Sequence, residues 1–197
     1  MKPIRFLFRC AIFVALLSGF FVLIQDVLVF PGIVTTKFSG HPVPPPGVKS
    51  SFVPTSDGEG IEVWRNPPAF PEITPAGHVL FLHGNGGSLS MFFPFQQLLA
   101  DKNFVSYSFD YRGYGASSGW PSEQGIYRDA EAAFEYMLEQ EKLKPGDVTM
   151  MGFSVGAGAA AYIAAKYHTR ALVLVSGYSN MRLRASEEPV LGLLSRF

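Results

Sequence analysis

Val148-Thr-Met-Met-Gly152-Phe153-Ser154-Val155-Gly156, followed at once by Ala157-Gly-Ala-Ala-Ala161, decides how this chain is read. Residues 148–151 have the apolar, β-favouring character of a short buried strand. Residues 155–167 continue as a helix rich in small side chains. Between them, Gly152 to Gly156 fits the pattern G-x-S-x-G. A serine on a sharp strand-to-helix turn has its hydroxyl exposed, and small neighbours are needed because the backbone folds so tightly there. The first N–H groups of the following helix have no intrahelical acceptor, so the Val155 N–H is placed to stabilise an oxyanion. The pattern is short, and its strand–turn–helix setting is what gives it weight. Ser154 is therefore read as a nucleophile position.

Working outward, strands and helices alternate on both sides. Residues 79–82 form a strand running into His83-Gly-Asn-Gly-Gly87, and 92–99 a short helix. Residues 104–109 form the next strand, ending at Asp110 and the glycine-rich Tyr111-Arg-Gly-Tyr-Gly-Ala-Ser-Ser-Gly119. Pro121-Ser122 opens an amphipathic helix with Ile126, Ala130, Ala133, Phe134, Met137 and Leu138 on one face and Glu131, Glu135 and Glu139 on the other. Pro145-Gly146 ends it, and 171–175 is a further strand. Upstream, 51–54 and 61–64 are short strands around Thr55-Ser-Asp-Gly58, whose Asp-Gly pair favours a tight turn. The order implies an α/β fold, a mostly parallel sheet with helices on both faces. Such sheets bind ligands beyond the carboxyl ends of their strands, where all three glycine-rich loops fall.

Composition narrows the function. The 197 residues suit one domain, and 16 basic against 16 acidic side chains leave no cationic surplus for nucleic acid. The single cysteine, Cys10, excludes an intrachain disulfide and a thiolate metal cluster. No cofactor and no metal are expected. Gly156 to Ala161 also fits the dinucleotide pattern G-x-G-x-x-A. Its first glycine, however, lies inside the helix, and no acidic residue stands near Val175 at the end of the following strand.

The amino-terminal region is expected to be a membrane anchor. Lys2, Arg5 and Arg9 precede an apolar run from 10 to 24, closed by Gln25 and Asp26 and broken by Pro31-Gly32. With its flanks the run approaches the ~20 residues that a spanning helix needs. Leu16 and Leu17 occupy positions where a cleaved signal peptide would pair small residues with Ser18 and Gly19, which favours an uncleaved anchor. The basic cluster before the span puts the amino terminus in the cytoplasm and the domain on the far side, periplasmic, lumenal or extracellular. The expected organisation is an anchor over 1–32, a proline-rich linker over 33–48 and the catalytic-type domain over 49–197.

Beside the elbow, His83-Gly-Asn-Gly-Gly87 supplies a second loop of backbone donors, with Asn85 or Gly86 the contributor. His83 is read as a brace for that loop, not as a base. Taken in order, H-G-N-G-G at 83–87, D-Y-R-G-Y-G-x-S-x-G at 110–119 and G-F-S-V-G at 152–156 resemble the α/β-hydrolase superfamily. Within it they resemble the membrane-anchored serine aminopeptidase-like or abhydrolase-domain branch, which tends to share the P-T-S-D-G stretch seen at Pro54 to Gly58. The resemblance implies Ser154 as nucleophile, Val155 and Asn85 as oxyanion-hole N–H donors, and structural roles for Asp110, Arg112 and Gly113. It also implies an acyl-enzyme on Ser154 and an ester, thioester or amide substrate.

One departure qualifies it. The family order is serine, acid, histidine. After Ser154 the chain offers only Glu187 and Glu188 as acids and His168 as a histidine, all in places that do not suit a triad. The domain is therefore expected to be incomplete at its carboxyl end, with an open sheet edge and little activity as it stands. The alternative is a non-catalytic, membrane-tethered binding protein.

Overall fold

The computed structural model describes residues 8–20, 30–37 and 43–177. Two antiparallel strands come first, β1 (Lys49–Pro54) and β2 (Gly60–Asn66). Gly58 takes φ +90° in the turn between them, which Thr55 closes by donating its N–H to Glu59 O at 2.8 Å. The alternating part follows: β3 (Gly77–Leu82), α2 (Leu89–Asp101), β4 (Phe104–Phe109), α3 (Glu123–Glu141), β5 (Val148–Phe153), α4 (Gly156–Tyr167) and β6 (Ala171–Val175). A short helix, α1 (Gly32–Lys37), precedes β1. The α/β expectation holds, and each predicted strand from 79 onward is present with its ends extended by at most two residues.

The six strands lie in the order β1-β2-β4-β3-β5-β6, with β3, β4, β5 and β6 mutually parallel. Right-handed crossovers explain how the helices distribute. The connection from β3 to β4 steps one way along the sheet and that from β4 to β5 steps back across β3, so α2 and α3 cover opposite faces. The step from β5 to β6 continues the second direction and puts α4 beside α3. Their contact includes Tyr127 stacked on Tyr162 at 4.5 Å.

Alternation along β3 serves both layers. Leu80 and Leu82 join the core made with Ala130, Ala133, Phe134 and Met137 of α3 and Ala159, Ala160 and Ile163 of α4. Phe81 turns the other way onto α2, stacking on Phe95 at 5.5 Å. The crossovers change direction along the sheet beside β3, so the loops after β3 and β5 diverge at a topological switch point. That is where the G-x-S-x-G turn sits. At the other end of the sheet order, β6 pairs only with β5 among the described residues, and Leu172, Val173 and Leu174 are 40%, 42% and 50% exposed.

Two stretches differ from expectation. Residues 8–20 are helical and expose Phe13 and Leu16, but no helix among the described residues is long and apolar enough to cross a membrane. The transmembrane helix expected within 1–32 is thus not found there, and 1–7 and 21–29 lie outside the described residues. The start of the expected linker, 33–37, is helical and docked, with Ile33 only 6% exposed. Proline density further along, at Pro42 to Pro46, had masked the apolar Phe30-Pro-Gly-Ile33 that seats this helix.

Candidate active site

Ser154 lies between the end of β5 and the start of α4 with φ +52°, the left-handed region that non-glycine residues adopt only under constraint. The constraint is visible. Ser154 N–H donates to Val175 O at 2.9 Å and its carbonyl accepts from Ala157 N–H at 3.0 Å. Both flanking glycines are required. A Cβ on Gly152 would stand 2.5 Å from Gly156 O, and one on Gly156 would stand 2.3 Å from Leu82 O. The turn therefore presses directly on the end of β3 and on the loop that follows it. Val155 is helical (φ −59°, ψ −35°) at the head of α4, so its N–H is one that the helix itself leaves without an acceptor.

The loop after β3 is held from several sides. His83 is fully buried, with Nδ1 2.9 Å from Gly84 O, Nε2 3.3 Å from Asp110 Oδ1, and its ring stacked on Phe92 at 5.5 Å. Tyr111 Oη donates to the His83 carbonyl at 2.7 Å. That is a bracing environment. Gly84 lies against Phe153, the residue before the serine, close enough that a Cβ would meet its ring at 2.7 Å. The structure thus brings Ser154, Val155 and the loop of Asn85 together at the carboxyl ends of β3 and β5. Asn85 itself is exposed, and its Oδ1 accepts from Tyr114 Oη at 2.6 Å and from Gly86 N–H at 3.0 Å. The Gly86 N–H is thus engaged by the side chain of the residue before it.

The third glycine-rich loop is scaffold. Asp110 is buried and accepts the Leu89 N–H at 2.8 Å, tying the first turn of α2. Arg112 is 5% exposed and bridges two acids. Its Nε donates to Asp129 Oδ1 at 2.9 Å, and its two terminal nitrogens donate to Asp57 at 2.8 and 3.0 Å. Arg112 hydrogen bonds, then that of Thr55, hold the Asp57 carboxyl well below the usual carboxylate range. Burial pushes the Asp129 carboxyl up against the pull of Arg112. Sequence reasoning reached Arg112 without its partners, 17 and 55 residues away. It also missed Tyr114 and α1.

No described histidine serves Ser154 as a base. His83 is buried and committed. His78 opens β3 at the opposite end of the sheet, near Glu141 at 3.9 Å. His168 is the exposed left-handed cap of α4, a full helix length, ~18 Å, from the serine. Glu187 and Glu188 lie outside the described residues. Among the described residues no cluster of His, Cys, Asp and Glu could hold a metal ion.

The family model for the alpha/beta hydrolase fold matches residues 77–194. The chain belongs to the α/β-hydrolase family. This α/β-hydrolase is 35% identical over 148 residues to an uncharacterized protein of Mycobacterium tuberculosis, covering 73% of this chain and 52% of that one. It is 34% identical over 116 residues to the protein YfhR of Salmonella typhi, 57% of this chain and 39% of that one. With the human alpha/beta hydrolase domain-containing protein 17B it shares 37% identity over 99 residues, 50% of this chain and 34% of that one. The chain thus spans about half or less of the length of these relatives. In fold it is similar to an alpha-beta hydrolase from Vibrio vulnificus, with TM-score 0.65 and 21% identity over 77% of this chain and 55% of that one. It is also similar to a lidless a/b serine hydrolase from Xanthomonas campestris, with TM-score 0.56 and 20% identity over 68% and 63%.

Proposed function

We propose that Ser154 is the nucleophile of a serine hydrolase that cleaves an ester, thioester or amide of a small acyl substrate through an acyl-enzyme. The observation that carries this is the Ser154 turn itself. A serine at φ +52° is wedged between β5 and α4, against the loop of Asn85, by glycines that admit no Cβ. Attack by Oγ on the carbonyl carbon forms the tetrahedral intermediate, and the N–H groups of Val155 and Asn85 stabilise its oxyanion. Collapse expels the alcohol, thiol or amine, which carries off the proton that Oγ gave up, and water then cleaves the acyl-enzyme, returning a proton to Oγ and releasing the acid. The basic, apolar amino-terminal stretch, helical with exposed apolar side chains over 8–20, supports tethering to a membrane with the domain on the far side.

The described residues supply neither acid nor base to Ser154, which favours a second reading of the chain as it stands: a non-catalytic, tethered binding protein. Without its partners a triad serine keeps only ~10³–10⁴-fold acceleration over water. A fluorophosphonate probe separates the two. Slow modification of the peptide bearing Ser154, abolished by Ser154→Ala, is the expected result. A folded, monodisperse 197-residue chain that stays unmodified at Ser154 would overturn the catalytic reading in favour of the binding one.

A further inference from the structure

The segment before β1 touches the site at more points than a linker needs. Phe30 and Ile33 are 5% and 6% exposed. Gly32 lies flat on the Tyr114 ring, where a Cβ would stand 1.8 Å from Cε1. Thr36 Oγ1 donates to Gly32 O at 2.6 Å and accepts the Gly115 N–H at 2.9 Å, and both bonds are buried. Thr35 Oγ1 donates to Gly86 O at 3.1 Å. Through Tyr114 the chain of contacts reaches Asn85, whose Oδ1 takes both the tyrosine hydroxyl and the Gly86 N–H. A single short segment thereby grips two of the three glycine-rich loops, at sequence separations of 51 and 79 residues.

What it grips needs holding. Residues 84–87 include three glycines, Gly86 at φ +76°, and glycine loses more conformational freedom on ordering than any other residue. An oxyanion donor works only if it is fixed before charge develops. Tyr114 holds the Asn85 side chain and Thr35 holds the Gly86 carbonyl, so the loop is gripped on either side of the Asn85–Gly86 peptide. Burial pushes the Tyr114 phenol above its ordinary pKa, so it stays a donor across the working range.

We propose that residues 30–37 form a clamp that orients the oxyanion loop, with Thr35, Thr36 and Tyr114 as positioning residues for the reaction at Ser154. The proposal rests on the reading of Ser154 as nucleophile and Asn85 as donor.

The test uses the full 197-residue chain with Tyr114→Phe, which removes only the hydroxyl, and Gly32→Val, which drives the segment off the Tyr114 ring. Hydrogen exchange is read on peptides covering 83–88, with β5 and α4 as internal controls. Both variants should exchange about tenfold faster at 83–88, the order of one lost neutral hydrogen bond, with the controls unchanged. Fluorophosphonate modification of Ser154 should slow by a similar factor in Tyr114→Phe, with the melting temperature lowered by no more than the few degrees that one hydrogen bond is worth. Unchanged exchange at 83–88 overturns the clamp, as does an equal rise in β5 and α4, which marks general destabilisation. If wild-type Ser154 is not modified at all, the hydrolase reading fails, and exchange alone decides the clamp.

Discussion

Gly156→Ala tests the elbow most directly. The added Cβ would stand 2.3 Å from Leu82 O, 2.7 Å from His83 O and 2.7 Å from Leu82 C, all backbone atoms that cannot rotate aside. Cβ contacts in proteins do not fall below 3.0 Å, so α4 and the end of β3 must separate by at least about 0.7 Å. Overpacking of this kind costs about 1–3 kcal/mol, and rigid backbone on both sides puts this site near the upper value. For a chain of this size that corresponds to a melting temperature lowered by roughly 6–12 °C. The displacement also moves Ser154 relative to the Asn85 loop, where an error approaching 1 Å costs up to ~10²-fold in rate. Gly158→Ala is the matched control. It lies in the same helix with nothing within 4 Å of its added Cβ, and alanine should be neutral there or stabilising by up to ~1 kcal/mol. Thermal melts and fluorophosphonate kinetics on the three chains read both effects. A Gly156→Ala chain that melts with wild type and Gly158→Ala would refute the claim that this contact sets the turn.

Two further predictions concern the Arg112 bridge. Asp129→Asn removes the fully buried partner of a 5% exposed guanidinium, and breaking one side of a buried pair costs about 3–5 kcal/mol. Urea denaturation checks this, and a loss under ~1 kcal/mol would show that Asp57 alone satisfies Arg112. The Asp57 carboxyl is depressed by Arg112, so its contribution to stability is fully present above the unfolded carboxylate pKa of ~3.9 and is lost as pH falls through the lower, folded value. Wild type should therefore exceed Asp57→Asn in stability at pH 7 by a margin that shrinks below pH ~4. A margin that stays constant down to pH 2 would assign the effect to shape and not to charge.

The amino-acid order alone determined the alternating layers and placed each strand to within two residues at either end, because hydrophobic period and glycine placement are local signals. Phe104–Phe109 and Ala171–Val175 could be read residue for residue, and the helix opened by Ser122 begins where its side chain caps the Gly125 N–H. The sharp turn at Ser154 and Val155 was legible for the same reason, since its pattern is written in five consecutive residues. Only the tertiary structure decided what lies against them. Asp129 and Asp57 meet Arg112, Tyr114 meets Asn85, and residues 30–37 dock on the glycine-rich loops, across separations that no local pattern records. The segment read as linker shows why. A short apolar run beside prolines has no period of its own, and its burial comes from a tyrosine ring about eighty residues later in the chain.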